Sequence, residues 1–291
     1  MLCVMPAHTG SPKARVLGNA LRQAREDKGL GLRALAGELD LDPSALSKWE
    51  RGLMVPKDVV VARILTHLGI NGERYDEILT MPEGADAAQW LAITLPEQRQ
   101  QLAALLDFEN TADTITTASP LLIPGLLQES GYVRAIMSAG TVPADEIATR
   151  VAVRIGRRDV ITRRDPARLV AFIGESALRQ VIGGPNVMAE QLTFLLEAAS
   201  WANVELRVIP YASGWHPALE GPFTIIDPKV NAERATTPVV HIENRRSGLF
   251  LHEKEDVDTY RQAVDAVLLA AMSPTDTEEL IAAVIKEMRT L

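Results

Sequence analysis

The chain has 291 residues, 47% of them apolar and 23% charged, which excludes a disordered or collagen-like polypeptide and leaves room for two packed domains. Aromatic residues make up only 4%, so the cores have to be built from Leu, Val, Ile and Ala. A net charge of −8 excludes a polycation, and any surface for nucleic acid must therefore be a local patch.

From Lys13 to about Thr80 the apolar spacing is helical throughout. Val16, Leu17, Ala20, Leu21 and Ala24 recur at three- and four-residue steps, which predicts an amphipathic helix ending near Gly29. A short helix over 32–39 buries Leu35, Ala36 and Leu39. A third begins at Asp42, an N-cap residue, with Pro43 in the first helical position, and ends before Gly52. A fourth follows Pro56 and turns Val61, Ile64, Leu65 and Leu68 inward, and a fifth runs from Gly72 to Thr80. These elements set an all-α domain over 13–80. "MPEGADAAQW" opens a linker, taken as 81–96.

Residues 97–291 read as an α+β domain. Helices are expected around 97–110, 125–138, 144–160, 176–182, 186–200, 253–271 and 275–289. Between them lie the β-branched runs "RLVAFI", "VELRVIP", "GPFTII", "TPVVHI" and "GLFLH". The late strands follow one another without long helices, which predicts a mainly antiparallel sheet.

Residues 36–51 have the requirements of a helix-turn-helix. Ala36 is small enough for a close helix crossing, Asp40 tolerates an unusual backbone angle, and Leu41 plugs the turn. Leu46 and Trp49 point inward from the third helix, leaving Ser44, Ser47, Lys48 and Arg51 on the opposite strip. Such a helix fits the major groove: hydroxyls reach base edges, Lys48 meets guanine acceptors, and the helix start favours phosphate. The plain alternative is a solvated face. Charge supports the groove: residues 13–57 hold nine Lys and Arg against six Asp and Glu, a local excess of three.

Elsewhere the chemistry is thin. His216, His241, Glu243 and His252 are the candidates for a metal site, but no His-Glu-x-x-His helix or cysteine pair supports one. Glu175 is a candidate base or a carboxylate facing a helix dipole. No phosphate-binding, dinucleotide or nucleophile-elbow motif is present in the sequence, and no enzyme activity, cofactor or metal is expected. Tyr132 after "PGLLQ" and Trp215 and His216 in "GWHPALEGPF" are candidates for an effector or partner surface; a docked helix and a rigid turn are the competing readings. The single cysteine, Cys3, excludes an intramolecular disulfide and fits a reducing cytoplasm. The start "MLCVMPAHTGSPKAR" lacks the order of a secretion signal, and no apolar run approaches the ~20 residues that span a bilayer. The expected location is the cytoplasm.

The stretch "LGNALRQAREDKGLGLRALAGELDLDPSALSKWERG" resembles the lambda-repressor-like Xre family of five-helix DNA-binding domains. The resemblance implies an interior ion pair between Arg25 and Glu50, and contacts to double-stranded promoter or operator DNA by Arg33, Pro43, Ser44, Ser47, Lys48 and Arg51. Leu32 stands where the family commonly has Gln, and Pro43 replaces a residue able to hydrogen-bond a base. "SPLLIPGLLQESGYVRAI", "RVAVRIGRRDVITRRDPARL", "NVELRVIPYASGWHPALEGPF" and "VDTYRQAVDAVLLAAMSP" resemble the C-terminal domain of actinobacterial antitoxin-like regulators. The implied function is transcriptional regulation, with a C-terminal domain for dimerisation and for partner or effector binding. The alternative is an antitoxin-like component that sequesters a small partner protein and regulates its own operon. A homodimer is expected because one small reader makes too few base contacts alone.

Overall fold

A computed structural model of the chain describes residues 10–85, 87, 89–92, 94–140, 142–229, 237–245 and 247–291, and Cys3 lies outside them. In chain order the elements are α1 (Pro12–Asp27), α2 (Leu32–Glu38), α3 (Pro43–Glu50), α4 (Asp58–Leu68), α5 (Gly72–Leu79), β1 (Gln89–Ala92), α6 (Leu95–Asn110), β2 (Ala112–Ser119), α7 (Ser130–Ala139), α8 (Ala144–Gly156) and α9 (Asp159–Thr162). They continue as β3 (Arg168–Gly174), α10 (Glu175–Arg179), α11 (Pro185–Ala199), β4 (Val204–Ile209), β5 (Phe223–Pro228), β6 (Val239–Asn244), β7 (Ser247–Leu251), α12 (Lys254–Ala270) and α13 (Pro274–Met288). A helical N-terminal region is thus followed by an α+β part. Two compact units result, Met1–Phe108 with Pro228–Val257, and Glu109–Asp227 with Asp258–Leu291.

The first unit holds the five helices. Leu17, Leu21, Leu35, Leu46, Ile64 and Leu65 are all fully buried and form its core, as the three- and four-residue spacing requires. Ser11 caps α1 by accepting from the Ala14 N–H at 3.0 Å. The same unit contains strands in the order β1-β7-β6, both pairs antiparallel. The stretch expected as a linker therefore carries a strand, because Trp90 buries its ring against Phe250. Phe108 of α6 also meets Phe250, tilted, at 5.2 Å between centroids. Gln101, buried, donates to the carbonyls of Trp90 (2.7 Å) and Gly248 (3.1 Å), tying α6 to both strands.

The second unit has strands in the order β5-β2-β3-β4. Here β2 pairs with β3, and β3 with β4, in parallel. The antiparallel expectation describes β1, β7 and β6, where strands β6 and β7 follow directly. The mainly antiparallel reading of the sheet holds, with β2, β3 and β4 as its parallel part, because helices intervene between them and return the chain to the same end. The edge strand β4 is partly closed: Val208 N–H donates to the Thr277 hydroxyl at 2.9 Å and its carbonyl accepts from Met272 N–H at 2.8 Å. Glu109, 2% exposed, receives both Nε and Nη2 of Arg157 at 2.9 and 2.6 Å.

Candidate nucleic-acid interface

The turn between α2 and α3 is built by local chemistry. Asp40 has φ 47°, the one positive φ among the described non-glycine residues. That conformation returns the Leu41 N–H to the Ala36 carbonyl (2.8 Å) and the Asp40 N–H to that of Gly37 (3.3 Å), closing α2 as a Schellman motif. Arg63 of α4 donates to the Leu39 carbonyl from behind. The Asp42 carboxylate then accepts the N–H groups of Ser44 (3.0 Å) and Ala45 (3.2 Å) to start α3.

This cap changes one expectation. Pro43 has no N–H and Asp42 already occupies the next two, so the start of α3 is satisfied internally and carries a carboxylate. A phosphate finds few free donors there. Anion contacts have to come from side chains instead.

α3 is held in place from its inner side. Arg25 Nε and Nη2 donate to the two Glu50 oxygens at 2.7 and 2.8 Å, and Arg25 Nη1 reaches the Leu30 carbonyl at 2.8 Å. Both residues are buried, and the Glu50 carboxylate holds the Arg25 guanidinium above its ordinary pKa. Two glycines bring α1 and the end of α3 together. A Cβ at Gly18 would lie 2.4 Å from the Trp49 carbonyl oxygen, and one at Gly52, where φ is 70°, would lie 2.6 Å from Arg15 Cα. Sequence reasoning marked Gly52 only as the end of α3 and passed over Gly18. The signal was present as an isolated Gly18 inside an apolar helical stripe, which points to a close backbone approach.

On the outer side, Arg33, Pro43, Ser44 and Lys48 are exposed, while Ser47, Trp49 and Arg51 are half-buried. Leu46 is fully buried beneath them. Arg33 and Lys48 have no carboxylate partner among the described residues. The strip therefore presents hydroxyls and the Lys48 ammonium on a helix fixed from behind, with Arg33 on α2, a surface suited to base edges and phosphates.

The C-terminal candidates do not come together as one surface. Tyr132 is a correction: it is fully buried, its hydroxyl accepts the Ile123 N–H at 3.3 Å, and burial raises its pKa. It packs α7 and is closed to a partner. His216 is also buried, with Nδ1 unpaired among the described residues and its pKa lowered by burial. Trp215 beside it is exposed, as extended backbone at His216 requires for neighbouring side chains. His241 stacks on Phe250 across the β6–β7 pair, at 4.6 Å. Glu175 accepts from Arg179 Nε (2.7 Å) and from the Tyr211 N–H (3.0 Å), a structural role. Among the described residues no three His, Cys, Asp or Glu side chains converge as metal ligands, and no helix is long and apolar enough to cross a membrane.

Comparison with known families agrees with this layout. Residues 16–78 match the helix-turn-helix domain, which covers α2, the Asp40 turn and α3 and supports a DNA-binding regulator. No curated protein matches the chain. Residues 102–283 match the family described as Domain of unknown function (DUF5753). Since that match spans more than half of its length, the chain belongs to the DUF5753 family.

Proposed function

We propose that the chain is a cytoplasmic, sequence-specific transcriptional regulator of Xre type that binds double-stranded promoter DNA and performs no catalysis. The observation that carries the reading is the strip on α3: exposed Ser44 and Lys48, with Ser47 and Arg51 beside them, on a helix pinned by Arg25 and Glu50. In this reading α3 lies in the major groove. Ser44, Ser47 and Lys48 meet base edges, Arg33 and Arg51 meet phosphate, and Pro43 adds an apolar surface at the rim. The C-terminal domain pairs two such readers, since one short helix discriminates too few base pairs.

Genome-wide immunoprecipitation followed by footprinting tests this. The expected result is a protected palindrome with half-sites centred about 34 Å apart. Recovery of no enriched sequence overturns it. Stoichiometric co-purification of a small protein from the native host favours instead the antitoxin-like role, with DNA binding as autoregulation.

A further inference from the structure

Parallel strands β2, β3 and β4 end at Ser119, Gly174 and Ile209, so the loops that follow them emerge at one edge of the sheet. Those loops, with the turn after α10, carry exposed apolar side chains: Leu121 (61%), Leu122 (41%), Val181 (44%), Tyr211 (65%), Trp215 (71%) and Leu219 (56%). The loops are also bound to one another. The Glu175 carboxylate accepts the Tyr211 N–H at 3.0 Å, and the Ser176 hydroxyl donates to the Pro120 carbonyl at 2.5 Å. Gly174 passes so close that a Cβ there would lie 2.2 Å from the Pro120 oxygen.

Charge is missing from these segments. Residues 120–128, 180–188 and 210–219 contain no Asp, Glu, Lys or Arg, in a chain whose net charge is −8. Charge borders them: Arg179 pairs with both Glu175 at 2.7 Å and Glu287 at 2.6 Å, and the exposed Glu220 follows Leu219. Two copies of an acidic protein repel each other over most of their surface, so self-association costs least where the facing patches carry little charge. A patch with so few charges lessens that penalty. Its size also fits: two of the six side chains are aromatic and four aliphatic, and at 41–71% exposure they present on the order of several hundred Å² of the roughly 800 Å² that each partner buries in a standard interface.

We infer that the loops at the carboxyl ends of β2, β3 and β4 form an isologous homodimer interface, occupied by the same loops of a second copy of this chain. The inference deepens the dimeric-regulator reading and rests on it for the purpose of pairing, though the surface itself is argued from unit two alone.

Sedimentation of the full chain over about 0.1–50 μM tests it, with the wild type expected to dimerise in the micromolar range or tighter. Trp215→Glu and Tyr211→Glu should each raise the dissociation constant by about thirtyfold or more. Leu269→Glu, at an 89% exposed site on α12, should leave it unchanged. Thermal melting of each variant separates a lost interface from a lost fold. A wild type that stays monomeric throughout overturns the proposal, including when another protein is found to cover the loops. Folded Trp215→Glu and Tyr211→Glu variants that still dimerise like wild type also overturn it. DNA binding is read separately, by anisotropy on a duplex recovered by immunoprecipitation. A loss of dimer in the loop variants supports the interface even if no duplex binds any form, which would sink the regulator reading alone.

Discussion

The five-helix region and the parallel-stranded unit solve stability in opposite ways. Between α1 and α5 the deciding interactions are short-range or helix-to-helix: a Schellman turn at Asp40, an Asp42 cap, and Arg25 clasping Glu50. In the second unit β2, β3 and β4 pair only after α7 to α11 have been threaded between them. Loop closure must be met before such non-local pairing is rewarded. The contrast separates a region whose sequence dictates geometry residue by residue from one in which distant segments decide it.

Glu50→Ala should break the comparison hardest. It leaves Arg25 buried without its carboxylate, a loss of about 3–5 kcal/mol. Urea unfolding with hydrogen exchange should show protection lost across α1 to α5, with β2 to β4 retained; uniform loss in both units would mean the regions melt as one. In the second unit, Tyr132→Phe removes the acceptor for a buried Ile123 N–H, and the expected loss is about 1–3 kcal/mol in melting experiments. An effect as large as that of Glu50→Ala would erase the distinction.

Smaller effects sharpen it. Lys48→Ala and Arg51→Ala should weaken operator binding, the first with melting unchanged. Each cation withdrawn from a phosphate should lower the salt slope by about 1. Wild-type affinity at every salt concentration would remove α3 from the interface. Burial holds the His216 imidazole below its ordinary value of 6.5. The unfolded chain therefore takes up this proton first, so the contribution is whole above pH 6.5 and fades as pH falls toward the depressed folded value. His216→Gln should flatten the stability profile over that acidic limb; an unchanged profile would place the proton elsewhere.

The legible parts of the molecule are those with local causes. Asp40 and Leu41 identify the turn because an L-residue with a short polar side chain tolerates φ 47°. Asp42 and Pro43 identify the start of α3. The Xre resemblance points to Arg25 and Glu50, which spacing alone does not pair. β1 is hidden within a Gly- and Ala-rich stretch, since its pairing with β7 and the ring of Trp90 on Phe250, both distant in sequence, make "QWLA" a strand. β2 escapes sequence reasoning although "ADTITTAS" is rich in β-branched residues, because threonine also marks loops. Tyr132 misleads for another reason: a helical face shows periodicity, but not whether a sheet or solvent lies against it.

Phe250 has a consequence for biosynthesis. Trp90, Phe108 and His241 all lean on this one ring, and the Arg15 guanidinium of α1 lies 4.1 Å above Phe108. During translation the five helices leave the ribosome early, yet the aromatic seat beneath them stays unfinished until residue 251 has been added. The helical region is thus made well before the ring that seats it.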